Sequence, residues 1–319
     1  MTSHVYPDSP RERNEWILAR RPERNVVDPR RPQAFLVEDE CDASGTVMPV
    51  ATIFLTNREC PWRCLMCDLW RNTLVDSVPV GAIPEQIEFA LRQLPPARHI
   101  KLYNSGSFFD RRAIPPEDFP AIAEQVREFE RVIVECHPAL IGDAALRFRD
   151  LLAGHLEIAM GLETAHPIVL EKLNKRMTLA HFAKAAEFLS THDISLRVFV
   201  LVKPPFLDEA EAIEWARRSA DFAFDCGAEI VSLIPTRAGN GALDALMASG
   251  EFAAPRLATL EAAFDDCLAL RRGRVFADVW DLERFSNCSA CFAARRDRLR
   301  EMNLRQTILP RVTCGDCEG

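Results

Sequence analysis

What most constrains this chain is a rhythm. Apolar, β-branched runs lie at 50–56 (VATIFLT), 99–105 (HIKLYNS), 131–136 (RVIVEC), 156–163 (LEIAMGLE), 194–202 (ISLRVFVLV) and 228–235 (AEIVSLIP). Helical patterns separate them at 83–94, 115–130, 143–154, 179–192 and 208–226, with Pro84 near one start and Thr178 placed as an N-cap. Runs that do not alternate with polar residues are strands covered on both faces, hence a parallel sheet wrapped by helices. No G-x-G-x-x-G follows the first run, so the repeated βα units predict an α/β partial (β/α)6 TIM-like barrel rather than a dinucleotide-binding fold. In such a barrel chemistry collects on the loops after the C-terminal strand ends.

This divides the chain into an Arg-rich arm over 1–44, a core barrel over 45–250 and a small Cys-rich extension over 251–319. The extension carries one more amphipathic helix at 256–273 and a short strand at 275–281. No window approaches the ~18 consecutive apolar residues of a membrane span, and the N-terminus lacks an apolar signal core, so a cytoplasmic protein without membrane contact is expected. Eleven cysteines in such a chain argue for metal or redox chemistry, because that compartment keeps thiols reduced. A net charge of −8 argues against wholesale nucleic-acid binding. The arm therefore reads as solvated surface, with contact to a phosphate backbone as the sharper alternative.

Immediately after the first strand stand Cys60, Cys64 and Cys67. The spacing C-x3-C-x2-C supplies three thiolates from one short loop, enough for three irons of a cubane cluster with the fourth left open, whereas structural zinc wants four closed ligands. Behind that loop the other strands end in Asn104, Ser105, Gly106 and Ser107, then Glu135, Glu163, Lys203 and Pro235. Each position is a candidate for holding a ligand at the barrel mouth. A carboxylate such as Glu163 can accept both hydrogens of a ribose diol. Near the C-terminus, Cys288-x2-Cys291 and Cys314-x2-Cys317 form a four-thiolate set that suits either Zn2+ or a second [4Fe-4S] cluster.

The C-x3-C-x-Φ-C loop after the first strand resembles the radical S-adenosylmethionine (radical SAM) superfamily, with Met66 in the Φ position. The resemblance implies a [4Fe-4S] cluster on Cys60, Cys64 and Cys67 and S-adenosylmethionine on its open iron. Electron transfer would then yield a 5′-deoxyadenosyl radical. It also implies that residues 104–107 lie along the amino-acid end of SAM and that Met66 lies against adenine. The stretches NSGSFFD, ECHPAL, GLET, LVKPPFLDE and SLIPTRAGNGALDAL resemble the branch that includes the radical SAM subunit of archaeosine synthase and, more remotely, elongator-catalytic-subunit-like enzymes. That branch implies a 7-deazaguanine-type nucleoside in tRNA as substrate, a flavodoxin- or ferredoxin-type electron donor and a partner enzyme. One departure is Glu135-Cys136-His137-Pro138, where the elongator-like branch has Arg in place of His137, so a bidentate cation is lost. Two other readings stay open: a radical SAM enzyme acting on a small metabolite, and a non-enzymatic zinc or iron–sulfur scaffold.

Overall fold

The computed structural model describes residues 5–317. Its centre is one curved sheet of eight strands in sequence order: β1 (Ala34–Cys41), β2 (Val47–Leu55), β3 (His99–Asn104), β4 (Arg131–Glu135), β5 (His155–Glu163), β6 (Ser195–Val202), β7 (Ile230–Pro235) and β8 (Arg274–Ala277). Strands β2 to β7 are the six expected from the apolar runs, all parallel, with intervening helices returning the chain each time. The partial TIM-like barrel is thus the observed architecture. Ile53, Leu55, Ile100, Leu102, Val132, Val134, Ile158, Val198, Val200 and Leu233 are almost fully buried and build one continuous core with the helix faces. Thr178 caps the helix Leu179–Thr191, its side chain accepting from His181 N, as the sequence predicts.

The sheet extends the six strands by one at each edge. β8 pairs parallel to β7, where the short C-terminal run led one to expect a strand. β1 pairs antiparallel to β2 and comes from the segment assigned to the arm. Its sequence AFLVEDEC carries three consecutive acids, a poor strand signature. Glu40 is nevertheless turned inward, where Arg197 and Lys101 neutralise it.

The arm is not a solvated tail. Ser9 caps a helix, Pro10–Leu18, whose Arg13 is 3% exposed and paired with Glu171 at 2.5 Å. Arg21 and Arg24 both pair with Glu59, and Arg21 lies over the Trp70 ring. The reason is local charge: the carboxylates of Glu59, on the loop after β2, and of Glu171, on the short helix Pro167–Lys172 after β5, draw the arm down onto them. At Gly241, held at φ +83°, any Cβ would strike the Arg20 carbonyl, so only glycine lets the arm pass there.

The C-terminal helix Ser289–Arg305 packs on both β1 and β8, the two edges of the open sheet. It does so partly by imitating a strand. Asn303 exchanges two hydrogen bonds with the backbone of Ala277, and Gln306 exchanges two with that of Val275, so the free edge of β8 is satisfied by side-chain amides. Arg274 adds a bond to the Cys41 carbonyl across the gap.

Candidate functional site

The loop that follows β2 is held by its backbone rather than by its thiols. Asn240 donates to the carbonyls of Leu65 and Cys67, Asn174 donates to that of Arg63, and Leu65 N donates to Leu173 O. Leu65 is fully buried among Ile17, Leu243 and Leu246, and anchors the loop from below. Cys60, Cys64 and Cys67 are left half-buried and free. Burial raises all three thiols above the ordinary range, Cys67 to about 12, so protons stay on sulfur until a metal displaces them. Met66, like Phe206, packs against two apolar clusters.

Next to this loop β3 ends in a small-residue turn. A Cβ on Gly106 would come within 3.2 Å of the Cys60 Cβ, so the turn and the thiol loop touch. Asn104 is 2% exposed, yet neither its Oδ1 nor its Nδ2 has a partner. A buried amide with both ends unsatisfied costs free energy unless a ligand completes it. Together with three thiols from one loop, this meets the requirement of a [4Fe-4S] cluster and of a polar amino-acid end bound beside it. Ser105 and Ser107 are already engaged: Ser105 N donates to Asn57 Oδ1, and Ser107 Oγ accepts from His137 N.

His137 is where the sequence substitutes for an arginine, and it brings no positive charge. Its Nδ1 accepts from Ala139 N, so Nε2 carries the proton and donates to Lys175 O at 3.0 Å. Burial and the nearby Lys175 ammonium hold the imidazole neutral down to about pH 3. The ring stacks on Trp62 with centroids 3.7 Å apart, tying the thiol loop to the β4 end.

At the β5 end a register shift between Gly161 and Glu163 puts Glu163 at φ 66°. This bulge brings its carboxylate to Lys175, and both residues are 7% exposed. A Cβ on Gly161 would stand 2.2 Å from both Glu163 Oε1 and Lys175 Nζ, so the glycine makes room for the pair. Lys175 comes from a turn in which Asn174 and Arg176 are both left-handed. Neither Asn174, Lys175 nor Asn240 was foreseen from the sequence. For Asn174 and Lys175 the one available signal was the polar LNKR stretch between two helical patterns, which belonged to no strand end, whereas Asn240 lies in the SLIPTRAGNGALDAL stretch that follows the sixth apolar run.

Of the remaining expected residues, Lys203 is left-handed at φ 54° and donates to Glu209 at 2.6 Å, and Pro235 closes β7 as a buried residue. Glu135 ends β4 with its carboxyl pushed up to about 8, chiefly by burial. Folded Glu135 therefore keeps its proton to about pH 8, the unfolded carboxyl only to about 4.5. Its contribution to stability is full below the lower value and is lost as pH rises through the higher. Glu135→Gln is expected to flatten the fall in urea-unfolding stability between about pH 5 and pH 8 relative to the parent chain. An unchanged slope would mean that Glu135 is ionised in the fold.

The chain matches no protein-family model. It is 28% identical over 295 residues to archaeosine synthase subunit beta of Methanosarcina acetivorans, covering 86% of this chain and 84% of that one. An uncharacterized protein of Methanocaldococcus jannaschii is 26% identical over 235 residues, 69% of this chain but 64% of that protein's length. Among solved structures, an N-terminally truncated Elp3 of Methanocaldococcus infernus superimposes with a TM-score of 0.49 at 13% identity, over 65% of this chain and 55% of that one. The resemblance to the archaeosine synthase branch of radical SAM enzymes drawn from the motifs is borne out by the Methanosarcina relative and by archaeosine synthase subunit beta of Thermococcus kodakarensis, 32% identical over 126 residues, 38% of this chain and 39% of that one.

Proposed function

We propose that this radical SAM enzyme modifies a 7-deazaguanine-type nucleoside in tRNA, as an archaeosine-synthase-like catalytic chain working with a partner protein. The observation that carries the substrate class is the near full-length similarity to an archaeosine synthase beta subunit. In this reading Cys60, Cys64 and Cys67 ligate three irons, and Asn104 supplies its unpaired amide to the amino-acid end of SAM. A cluster held there with SAM beside it would supply 5′-deoxyadenosyl radical chemistry, given an electron from an external flavodoxin- or ferredoxin-type donor.

The protein's own residues orient and shield. The Glu163–Lys175 pair presents a carboxylate and an ammonium behind the thiol loop, suited to a ribose diol and to an anionic group. Glu135 holds its proton on a carboxyl oxygen near neutral pH and can donate a hydrogen bond there. Lys203, fixed by Glu209, and Pro235 would line the far rim. The arm and the helix Ala242–Ala248 meet around Leu65, excluding water from one side of the loop. The C-terminal cysteines would hold zinc or a second cluster.

A second reading, a small-metabolite substrate, draws on charge. The net charge is −8, and Arg13, Arg21 and Arg24 of the arm are spent on internal carboxylates rather than offered to phosphate. Reconstituted enzyme given SAM and reductant, with and without tRNA carrying a lysine-modified 7-deazaguanine base, separates the two. The tRNA reading expects substrate-dependent 5′-deoxyadenosine and a changed nucleoside. Equal 5′-deoxyadenosine on unmodified and modified tRNA, with no altered nucleoside, overturns it.

A further inference from the structure

The C-terminal cysteines meet in a way that distinguishes between their two candidate occupants. Cys288 is the N-cap of the helix Ser289–Arg305 and Cys291 lies in its first turn. Cys314 and Cys317 come from the tail that runs back along that helix. The return path is built in protein: the Arg298 guanidinium donates to the carbonyls of Leu309 and Pro310 and to Asp265, and Arg311 pairs with Asp265 as well. The four Sγ atoms all lie within 4.8 Å of one another. Among the described residues, theirs is the one group of three or more potential ligand atoms drawn together so closely.

Two of the sulfur separations are 3.9 Å, Cys288 to Cys314, and 3.6 Å, Cys291 to Cys317. A disulfide would need ~2.05 Å, so these are separate thiols. Four sulfurs at ~2.3 Å from one tetrahedral zinc stand ~3.8 Å apart along each edge. A cubane carries each thiolate outward on its own iron, which puts the cysteine sulfurs roughly 6 Å apart. The observed spacing matches the first and falls well short of the second. The surroundings offer the sulfurs a backbone donor, Asp316 N to the Cys314 sulfur, and the adjoining cavity of 470 Å³ is lined by Arg295 and Arg311, each also paired with a carboxylate, Glu261 and Asp265.

We propose that Cys288, Cys291, Cys314 and Cys317 bind one tetrahedral zinc-class ion, closed to substrate, which staples the returning tail to the helix that seals the sheet edges. The site carries no vacant position and is structural. It is independent of the radical SAM reading, since it uses none of the residues at the barrel mouth.

The test counts zinc and iron separately on the full chain, as purified and after anaerobic iron–sulfur reconstitution. The expected result is about one zinc in both preparations and about four irons only after reconstitution. A Cys60→Ala, Cys64→Ala, Cys67→Ala chain should keep the zinc, and a Cys288→Ser, Cys314→Ser chain should lose it. Should that second variant fail to fold, X-ray absorption at the zinc edge of the unaltered chain serves instead. It should show four sulfurs at ~2.3 Å and no metal neighbour. About eight irons with no zinc, neither metal bound at the tail, or zinc lost with the first-loop cysteines would each overturn the proposal.

Discussion

The chain with Cys60, Cys64 and Cys67 all replaced by alanine is expected to bind no first-loop iron and to release no 5′-deoxyadenosine above the enzyme-free background, while folding as the parent does. The first half follows from the chemistry of the cluster, which has no other thiolate to bind on that loop. The second follows from how the loop is held. Asn174 and Asn240 grip its carbonyls and Leu65 plugs it into the core, so the thiols contribute little to its shape. Each alanine removes one half-buried sulfur from a site that must in any case open toward ligand. Anaerobic reconstitution followed by iron counting, near-400 nm absorbance and chromatography of the SAM products makes the comparison. Retained SAM cleavage in the triple variant would refute the assignment of this loop, and a collapsed fold would refute the account of how it is anchored.

The second large effect lies at the opposite end of the barrel. Arg197, 4% exposed on β6, donates to Glu157 at 2.6 Å and to Glu40 at 3.0 Å. Lys101 also pairs with Glu40, and Arg131 with Glu157 at 2.8 Å, so the network fills the closed end with alternating charge. Arg197→Met leaves both carboxylates buried beside one cation each, and breaking a buried pair in this way costs about 3–5 kcal/mol. Urea unfolding of the full chain should show that loss as a lower midpoint with an unchanged slope.

The network also gives the acid response a sign. Arg197 and its neighbours hold Glu40 and Glu157 below the usual carboxylate range. Their contribution is present above the unfolded value of about 4.5 and is lost as pH falls through the lower folded values. At low temperature the variant should still cleave SAM, because five residues of strand, ~16 Å, separate Arg197 from the β6 end. A change below about 1 kcal/mol would show that the network is solvated rather than buried.

Both expectations depend on placements of very different legibility. The thiol loop could be read directly, because C-x3-C-x2-C is local and its position after a strand is a one-dimensional fact. The parallel strands were equally open to reading, since burial on both faces leaves unbroken apolar runs such as ISLRVFVLV. β1 was not, because its three acids are the signature of a surface arm until Arg197 and Lys101, contributed by β6 and β3, neutralise one of them. Lys175 was hidden for a similar reason. It sits in a turn rather than at a strand end, and only the left-handed backbone on either side carries it to Glu163. His137 shows the converse: the missing arginine was visible, but the stack on Trp62 and the neutral tautomer needed the folded geometry.

The sequence by itself determined the periodic βα architecture, the grouping of cysteines into two closely spaced sets and the absence of a fourth thiol from the first loop, because each is written in spacing along one dimension. The tertiary structure decided what spacing cannot encode. It pulled the arm onto the barrel mouth, paired Glu163 with a lysine twelve residues away, and drew four sulfurs from two distant knuckles to within 4.8 Å of one another. Those outcomes depend on desolvated charges finding partners and on hydrogen bonds closing over long loops, and both are properties of distance in space rather than of order along the chain.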